Sequence, residues 1–263
     1  MQDLTIKLIQ PFIKWHDATT NRTLLAEKLA LNDQQVDLIV LPEMFTTGFT
    51  MKTTTQSEPE GGPTYDWMIQ MAKRYNSVIT GSIIVESNGN IFNRMLWVAP
   101  DGNVSFYDKR HLFRMAEENH SFSQGNEIKT FELKGWRIRP AICYDLRFPV
   151  WCRNTVVGDE LDYDILLLVA NWPAARIQAW DGLLKARAIE NQSYCIGVNR
   201  IGMDGEGVAY NGHSACYNYL GSQVSYLAEN ESVQLCRVSK PELMDYRGKF
   251  PAFKDADKFV IES

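Results

Sequence analysis

The longest apolar run in the 263-residue sequence, Ile165 to Ala170, is far shorter than the roughly 20 residues of a membrane-spanning helix. Met1-Gln2-Asp3 also lacks the basic start of a secretion signal, so a soluble, cytoplasmic protein with no membrane partner is expected. Positive charge is not in excess: 27 Lys and Arg against 32 Asp and Glu give a net charge of −5, which excludes the basic footprint of a nucleic-acid partner. Cysteines are few, odd in number and widely spaced, at 143, 152, 195, 216 and 236, with no Cys-x-x-Cys pair. A disulfide framework or zinc site is therefore not expected. The four histidines, His16, His111, His120 and His213, are dispersed, so no metal and no cofactor is implied. Glycines 202, 205, 207 and 212 mark loops, because no helix follows them as in a phosphate cradle. Linkers, repeats and low-complexity stretches are lacking, and a single domain over 1–263 is expected.

What is present reads as alternating strands and helices. A strand over 4–9, a helix over 17–31 with Leu24, Leu25 and Leu29 at helical spacing, and a strand over 36–41 make a βαβ unit. Gly61-Gly62-Pro63 opens a helix with Trp67, Met68, Met71 and Ala72 on one face. Strands over 78–86 and 91–99 pair about Asn88-Gly89, and a second turn at 100–103 continues the meander into 104–107. A further hairpin joins 131–133 to 136–143. Then come a helix over 148–157, a buried strand over 163–170, an amphipathic helix over 176–192 with Leu183, Leu184, Ala188 and Ile189 inward, a strand over 194–199, strands over 222–227 and 232–238, and a short helix from Pro241.

Three polar residues stand where strands stop. Cys143 ends 136–143, and a helix beginning just after it would leave backbone N–H groups free beside the sulfur. Glu43 follows Pro42 at the end of 36–41, and the apolar Met44, Phe45 and Phe49 beyond it are expected to wall the carboxylate and raise its pKa, as suits a general base. Gly48 suits a turn or close backbone approach there. Lys109 ends the 104–107 strand. Each has an ordinary explanation alone: an inert buried thiol, or a solvated rim charge such as Arg110. If the three strands were neighbours in one sheet, however, the groups would meet at one edge. The long connection over 112–125 has no clear periodicity and carries Glu117 and Glu118.

A carboxylate, an ammonium and a thiol together can hydrolyse an amide without a metal. The thiolate attacks, the carboxylate takes and returns a proton, and Lys109 with the backbone N–H of Tyr144 would hold the oxyanion.

The motifs Leu41-Pro42-Glu43-Met44-Phe45, Asp108-Lys109-Arg110-His111-Leu112 and Ile142-Cys143-Tyr144-Asp145-Leu146-Arg147-Phe148-Pro149 resemble the Glu, Lys and Cys signatures of the nitrilase (carbon–nitrogen hydrolase) superfamily. Asn171-Trp172-Pro173 and the segment 186–192 add to the similarity, which runs from Ile6 to about Val238. The resemblance implies an α/β fold, a four-layer α-β-β-α sandwich of two mixed β-sheets flanked by helices. It also implies a homodimer that extends the sandwich to eight layers, and a catalytic triad of Glu43, Lys109 and Cys143. A second glutamate after the lysine, which positions it or the substrate, falls on Glu118 rather than Glu117.

The segment 109–115 and the short chain are most similar to the omega-amidase branch. That similarity implies a hydrolase freeing ammonia from small-molecule amide substrates, namely short carboxylate monoamides such as 2-oxoglutaramate and 2-oxosuccinamate, with water as co-substrate. A substrate carboxylate calls for a cation, for which Arg147, Arg176 and Arg200 are unranked candidates, and Trp172 and Phe45 are candidate pocket walls. Two departures from the family pattern concern Arg139-Pro140-Ala141, where glycine-containing runs are common, and Asn218-Tyr219, where Asp-Pro is usual. The alternatives are an aliphatic amidase, a nitrilase, an N-carbamoyl-amine hydrolase or, outside enzymes, a redox-sensing cysteine protein. A Cys-His protease would need His213 beside Cys143, and nothing directs it there.

Overall fold

Strand side chains alternate between two apolar environments, and this alternation builds the layers. The computed structural model describes residues 2–31, 34–226 and 229–261. One mixed sheet runs in the order Ser232–Val238, Leu4–Gln10, Leu38–Val40, Val78–Ser87, Asn90–Val98, Val104–Asp108. Its central strands are parallel and the 78–108 meander antiparallel, as the turns at Asn88-Gly89 and 100–103 require. The second sheet runs Gln223–Tyr226, Ala215–Tyr217, Tyr194–Val198, Ile165–Val169, Trp136–Ile142, Phe131–Leu133, with its middle three strands parallel.

Leu4, Ile6, Leu8, Leu38 and Val40 of the first sheet share a buried cluster with Ile138, Ile165, Leu167, Val169 and Ile196 of the second. The opposite faces carry helices. Ile9, Ile39, Leu41 and Ile79 meet Leu25 and Leu29 of Ala18–Ala30 and Met68 and Met71 of Pro63–Tyr75. Leu166 and Leu168 meet Trp180, Leu184 and Ala188 of Ile177–Glu190. The result is the α-β-β-α sandwich.

Some local expectations change. The stretch 148–157 is not a helix but a turn followed by the two-residue strand Val156–Val157. Asn154 captures the chain instead, with its side chain bonded to the Tyr163 carbonyl and amide and to the Asn191 carbonyl. Ile189, expected inward, and Leu24, one of the helically spaced leucines, are exposed, and the buried stripes are Asn21, Leu25 and Leu29, and Trp180, Leu184 and Ala188. The strand expected over 222–227 spans Gln223–Tyr226, and Leu227 lies outside the described residues. Pro140 is tolerated within its strand because the neighbouring Phe131–Leu133 strand pairs only as far as Ile138, so no rung is lost there. Asn218 replaces the usual Asp-Pro turn by accepting from the amides of Leu220 and Ser222.

Candidate active site

Glu43, Lys109 and Cys143 do follow three strands, but not three neighbours in one sheet. The Leu38–Val40 and Val104–Asp108 strands belong to the first sheet, separated there by two others, and Trp136–Ile142 belongs to the second. Their carboxyl ends converge across the sandwich, the usual place for a ligand site in parallel sheets. Left-handed backbone sharpens the turns. Cys143 itself (φ 45°), Met44 directly after Glu43 (φ 42°) and Glu117 directly before Glu118 (φ 57°) all adopt it without being glycine. Such conformations cost energy and persist where the surroundings enforce them.

Two devices fix the register of these turns. Asp145, fully buried, accepts from Tyr107 Oη (2.8 Å), the His111 amide (2.9 Å) and the Ile142 amide (2.9 Å). It therefore ties the cysteine turn to residues on both sides of Lys109. Gly125 donates to the Lys109 carbonyl at 2.8 Å, and its α-carbon lies so close to the Asp108 backbone that any side chain would collide. Gly48 has φ +76° and turns the chain under the Trp15 ring.

Lys109 Nζ lies between two carboxylates, 2.9 Å from Glu43 Oε1 and 2.9 and 3.0 Å from the Glu118 oxygens, with all three side chains buried. Glu43 is not walled by apolar groups alone, as expected from its neighbours in sequence. Its Oε1 also accepts from Asn93 Nδ2 (2.7 Å) and its Oε2 from the Asn171 amide (2.7 Å). Ser82 Oγ donates to Asn93 Oδ1 (2.7 Å) and so orients that amide. Glu118 Oε2 accepts from the Phe113 amide. Cys143 Sγ lies 3.9 Å from the carbonyl oxygen of Asn171, the residue whose amide holds Glu43. The Tyr144 amide follows Cys143 in the short 3₁₀ segment Cys143–Arg147, where the first N–H groups have no helical partner. Asn93 and Ser82 escaped the sequence reading; the signal was an amide and a hydroxyl inside two largely apolar strands.

Burial pushes Lys109 down, but Glu118 and then Glu43 outweigh it and hold the ammonium above the ordinary lysine range. Burial raises Glu118 against the opposing pull of Lys109. Cys143 is pushed well above the usual thiol range, first by burial and then by the Glu43 charge, with Lys109 opposing. Burial and the Glu43 charge thus favour the thiol over the thiolate in the resting site. In Glu43→Gln one raising charge is gone and Lys109 remains, so the pH midpoint for iodoacetamide alkylation of Cys143 should fall by about one unit or more. Mass analysis of the Cys143 peptide across a pH series measures this; an unmoved or rising midpoint contradicts the assignment.

Lys109 and Cys143 open onto a cavity of about 670 Å³, within the range of small-molecule sites. Tyr144, Arg147, Asn171, Trp172 and Arg176 also line it. Phe45 does not: it is wholly buried in the outer core of the first sheet, 5.9 Å from the Trp67 ring, so its expected place as a pocket wall is corrected. Arg200 is likewise absent from the lining, buried behind the cavity with bonds to the carbonyls of Ile13 and Ile201. The rim carries a feature the glycine spacing concealed, the hairpin of Ile201–Met203 and Ala209–Asn211, which brings Asp204, Glu206, Val208 and Tyr210 to the cavity.

A two-sheet sandwich with buried carboxylates, lysine and thiol converging on one pocket defines a class of hydrolase fold, and comparison with known proteins agrees. The carbon-nitrogen hydrolase family model matches residues 5–247. The chain belongs to the carbon–nitrogen hydrolase family. It is 45% identical over 262 residues to omega-amidase YafV of Yersinia enterocolitica, covering 99% of this chain and all of that protein. It is 31% identical over 229 residues to 2-oxoglutaramate amidase of Bacillus subtilis, covering 86% of each. A crystal structure of a CN-hydrolase superfamily protein from Xanthomonas campestris, with an arsenic adduct in the active site, superposes with a TM-score of 0.97 at 44% identity over the whole of both chains.

Proposed function

We propose that the protein hydrolyses the terminal amide of short carboxylate monoamides of the 2-oxoglutaramate and 2-oxosuccinamate type, giving the acid and ammonia. The observation that carries this reading is the buried Glu43–Lys109–Glu118 cluster set beside the Cys143 thiol at the floor of the cavity. The relatives named omega-amidase and 2-oxoglutaramate amidase support the substrate class.

In this reading Cys143 Sγ attacks the amide carbonyl as its proton passes to Glu43, which a resting protonated thiol requires. Lys109 Nζ and the Tyr144 amide stabilise the oxyanion. Collapse returns the Glu43 proton to the departing nitrogen, releasing ammonia and leaving a thioester. Glu43 then activates water, which hydrolyses the thioester to the acid and restores the thiol. The Glu118 side chain hydrogen-bonds only with Lys109, Asn93 and the Phe113 amide among the described residues, and acts as a positioning residue.

Ammonia release from 2-oxoglutaramate, from a nitrile and from an N-carbamoyl amine tests the substrate class. The monoamide should exceed both others by on the order of 100-fold in kcat/KM; a nitrile or carbamoyl amine turned over as fast would refute it. The homodimer implied by the family is part of the same proposal, and light scattering should give twice the 30.1 kDa chain mass. A cytoplasmic location agrees with five cysteines that are all free. No helix among the described residues is long and apolar enough to cross a membrane.

A further inference from the structure

The cavity presents four basic side chains, and their surroundings separate them. Lys109 is held by Glu43 and Glu118. Lys52 is exposed at the mouth. Arg147 and Arg176 are half-buried, and neither guanidinium has an ion pair or hydrogen bond among the described residues. Each lies instead on an aromatic ring, Arg147 4.9 Å from the Trp172 centroid and Arg176 5.2 Å from that of Phe113. The two platforms are linked, because the Trp172 indole N–H donates to the Arg176 carbonyl at 2.9 Å. A guanidinium stacked on a ring keeps its N–H edges free in the fork that matches a carboxylate.

We propose that Arg176, with Arg147, binds the substrate's carboxylate end and thereby sets specificity for an anionic monoamide. This deepens the amidase reading and rests on it. Two guanidinium groups without a carboxylate partner attract an anion and repel an ammonium group, against the Asp204 and Glu206 carboxylates that the rim hairpin contributes, so the Arg147–Arg176 end of the cavity favours a 2-oxo acid amide over an amide bearing an α-amino group. The Arg176 platform also reaches the chemistry. Phe113 offers its ring to Arg176 and its amide to Glu118, which in turn holds Lys109. An anion that settles Arg176 on Phe113 braces the residue on which the Glu118 carboxylate depends.

The test pairs kinetics with a binding measurement that needs no turnover. In Arg176→Met the ratio of kcat/KM for 2-oxoglutaramate to that for butyramide should fall roughly 30-fold or more, mostly through KM, with Arg176→Lys recovering part of it. Arg147→Met should move the ratio in the same direction. Calorimetric binding of 2-oxoglutarate to the Cys143→Ala protein should weaken by a similar factor when Arg176→Met is added. An unchanged ratio in Arg176→Met, or undetectable 2-oxoglutarate binding by a protein that does cleave 2-oxoglutaramate, overturns the proposal. Arg176-dependent binding of 2-oxoglutarate by a protein that cleaves neither amide would uphold the anion site and refute the amidase reading instead.

Discussion

Cys143→Ala should lower ammonia release from 2-oxoglutaramate by on the order of 10⁴-fold or more while leaving the far-ultraviolet circular dichroism spectrum unchanged. The size of the loss follows from the nucleophilic role proposed for the sulfur: neither Glu43 nor Lys109 can form the thioester in its stead. Retention of the fold follows from how little the thiol supports. Its contacts are a long 3.9 Å approach to the Asn171 carbonyl and an interaction with the Glu43 carboxylate, neither of which supports a strand or helix, and alanine bears the left-handed backbone no worse than cysteine. Burial favours the neutral thiol, so its removal strands no charge. Cys152 provides the contrast. It is buried outside the cavity and its thiol is pushed up to about 12 by burial and the Asp145 charge, so Cys152→Ala should keep turnover within a fewfold. Turnover surviving in Cys143→Ala would remove that residue from the chemistry.

Lys109→Met should abolish turnover and also destabilise the protein by about 3–5 kcal/mol, as breaking a buried ion pair from one side does. Glu43 and Glu118, sealed from solvent, would then face each other across the Asn93 amide without a counter-charge. One of them must bind a proton to remain buried, so its folded-state pKa rises above the unfolded value. The folded variant then holds more protons than the unfolded chain, and its stability falls as pH rises. Urea denaturation at pH 5 and pH 8 should show the deficit growing toward pH 8. Adding Glu118→Gln removes the second charge and should recover much of the stability but none of the turnover. A Lys109→Met protein as stable as the parent at pH 8 would mean that the ammonium does not hold the carboxylates together.

Much of this arrangement was legible in local chemistry. Apolar runs broken by Pro42, by Asp108 and by the Cys143 turn marked the three strand ends, and Asn88-Gly89 fixed the meander that carries Lys109. Glu118 was separable from Glu117 only through family resemblance. The structure then orients the two oppositely: Glu117 supplies the left-handed turn and Glu118 the buried carboxylate. The helix expected over 148–157 failed because Asn154 satisfies distant backbone groups, an interaction that periodicity cannot register.

By itself the sequence determined which residues carry charge or sulfur at the ends of which strands, since strand length and turn chemistry are local properties. Only the tertiary structure decided that these ends belong to two different sheets, that Asn93 and Asn171 complete the Glu43 environment, that Phe45 is core while Trp172 is wall, and that Arg200 lies behind the pocket into which Arg147 and Arg176 open. The physical reason is that each of these facts depends on how the two sheets pack face to face, which brings together residues as far apart as Glu43 and Asn171, 128 positions, and Ile13 and Arg200, 187 positions, and no nearest-neighbour preference encodes such distances.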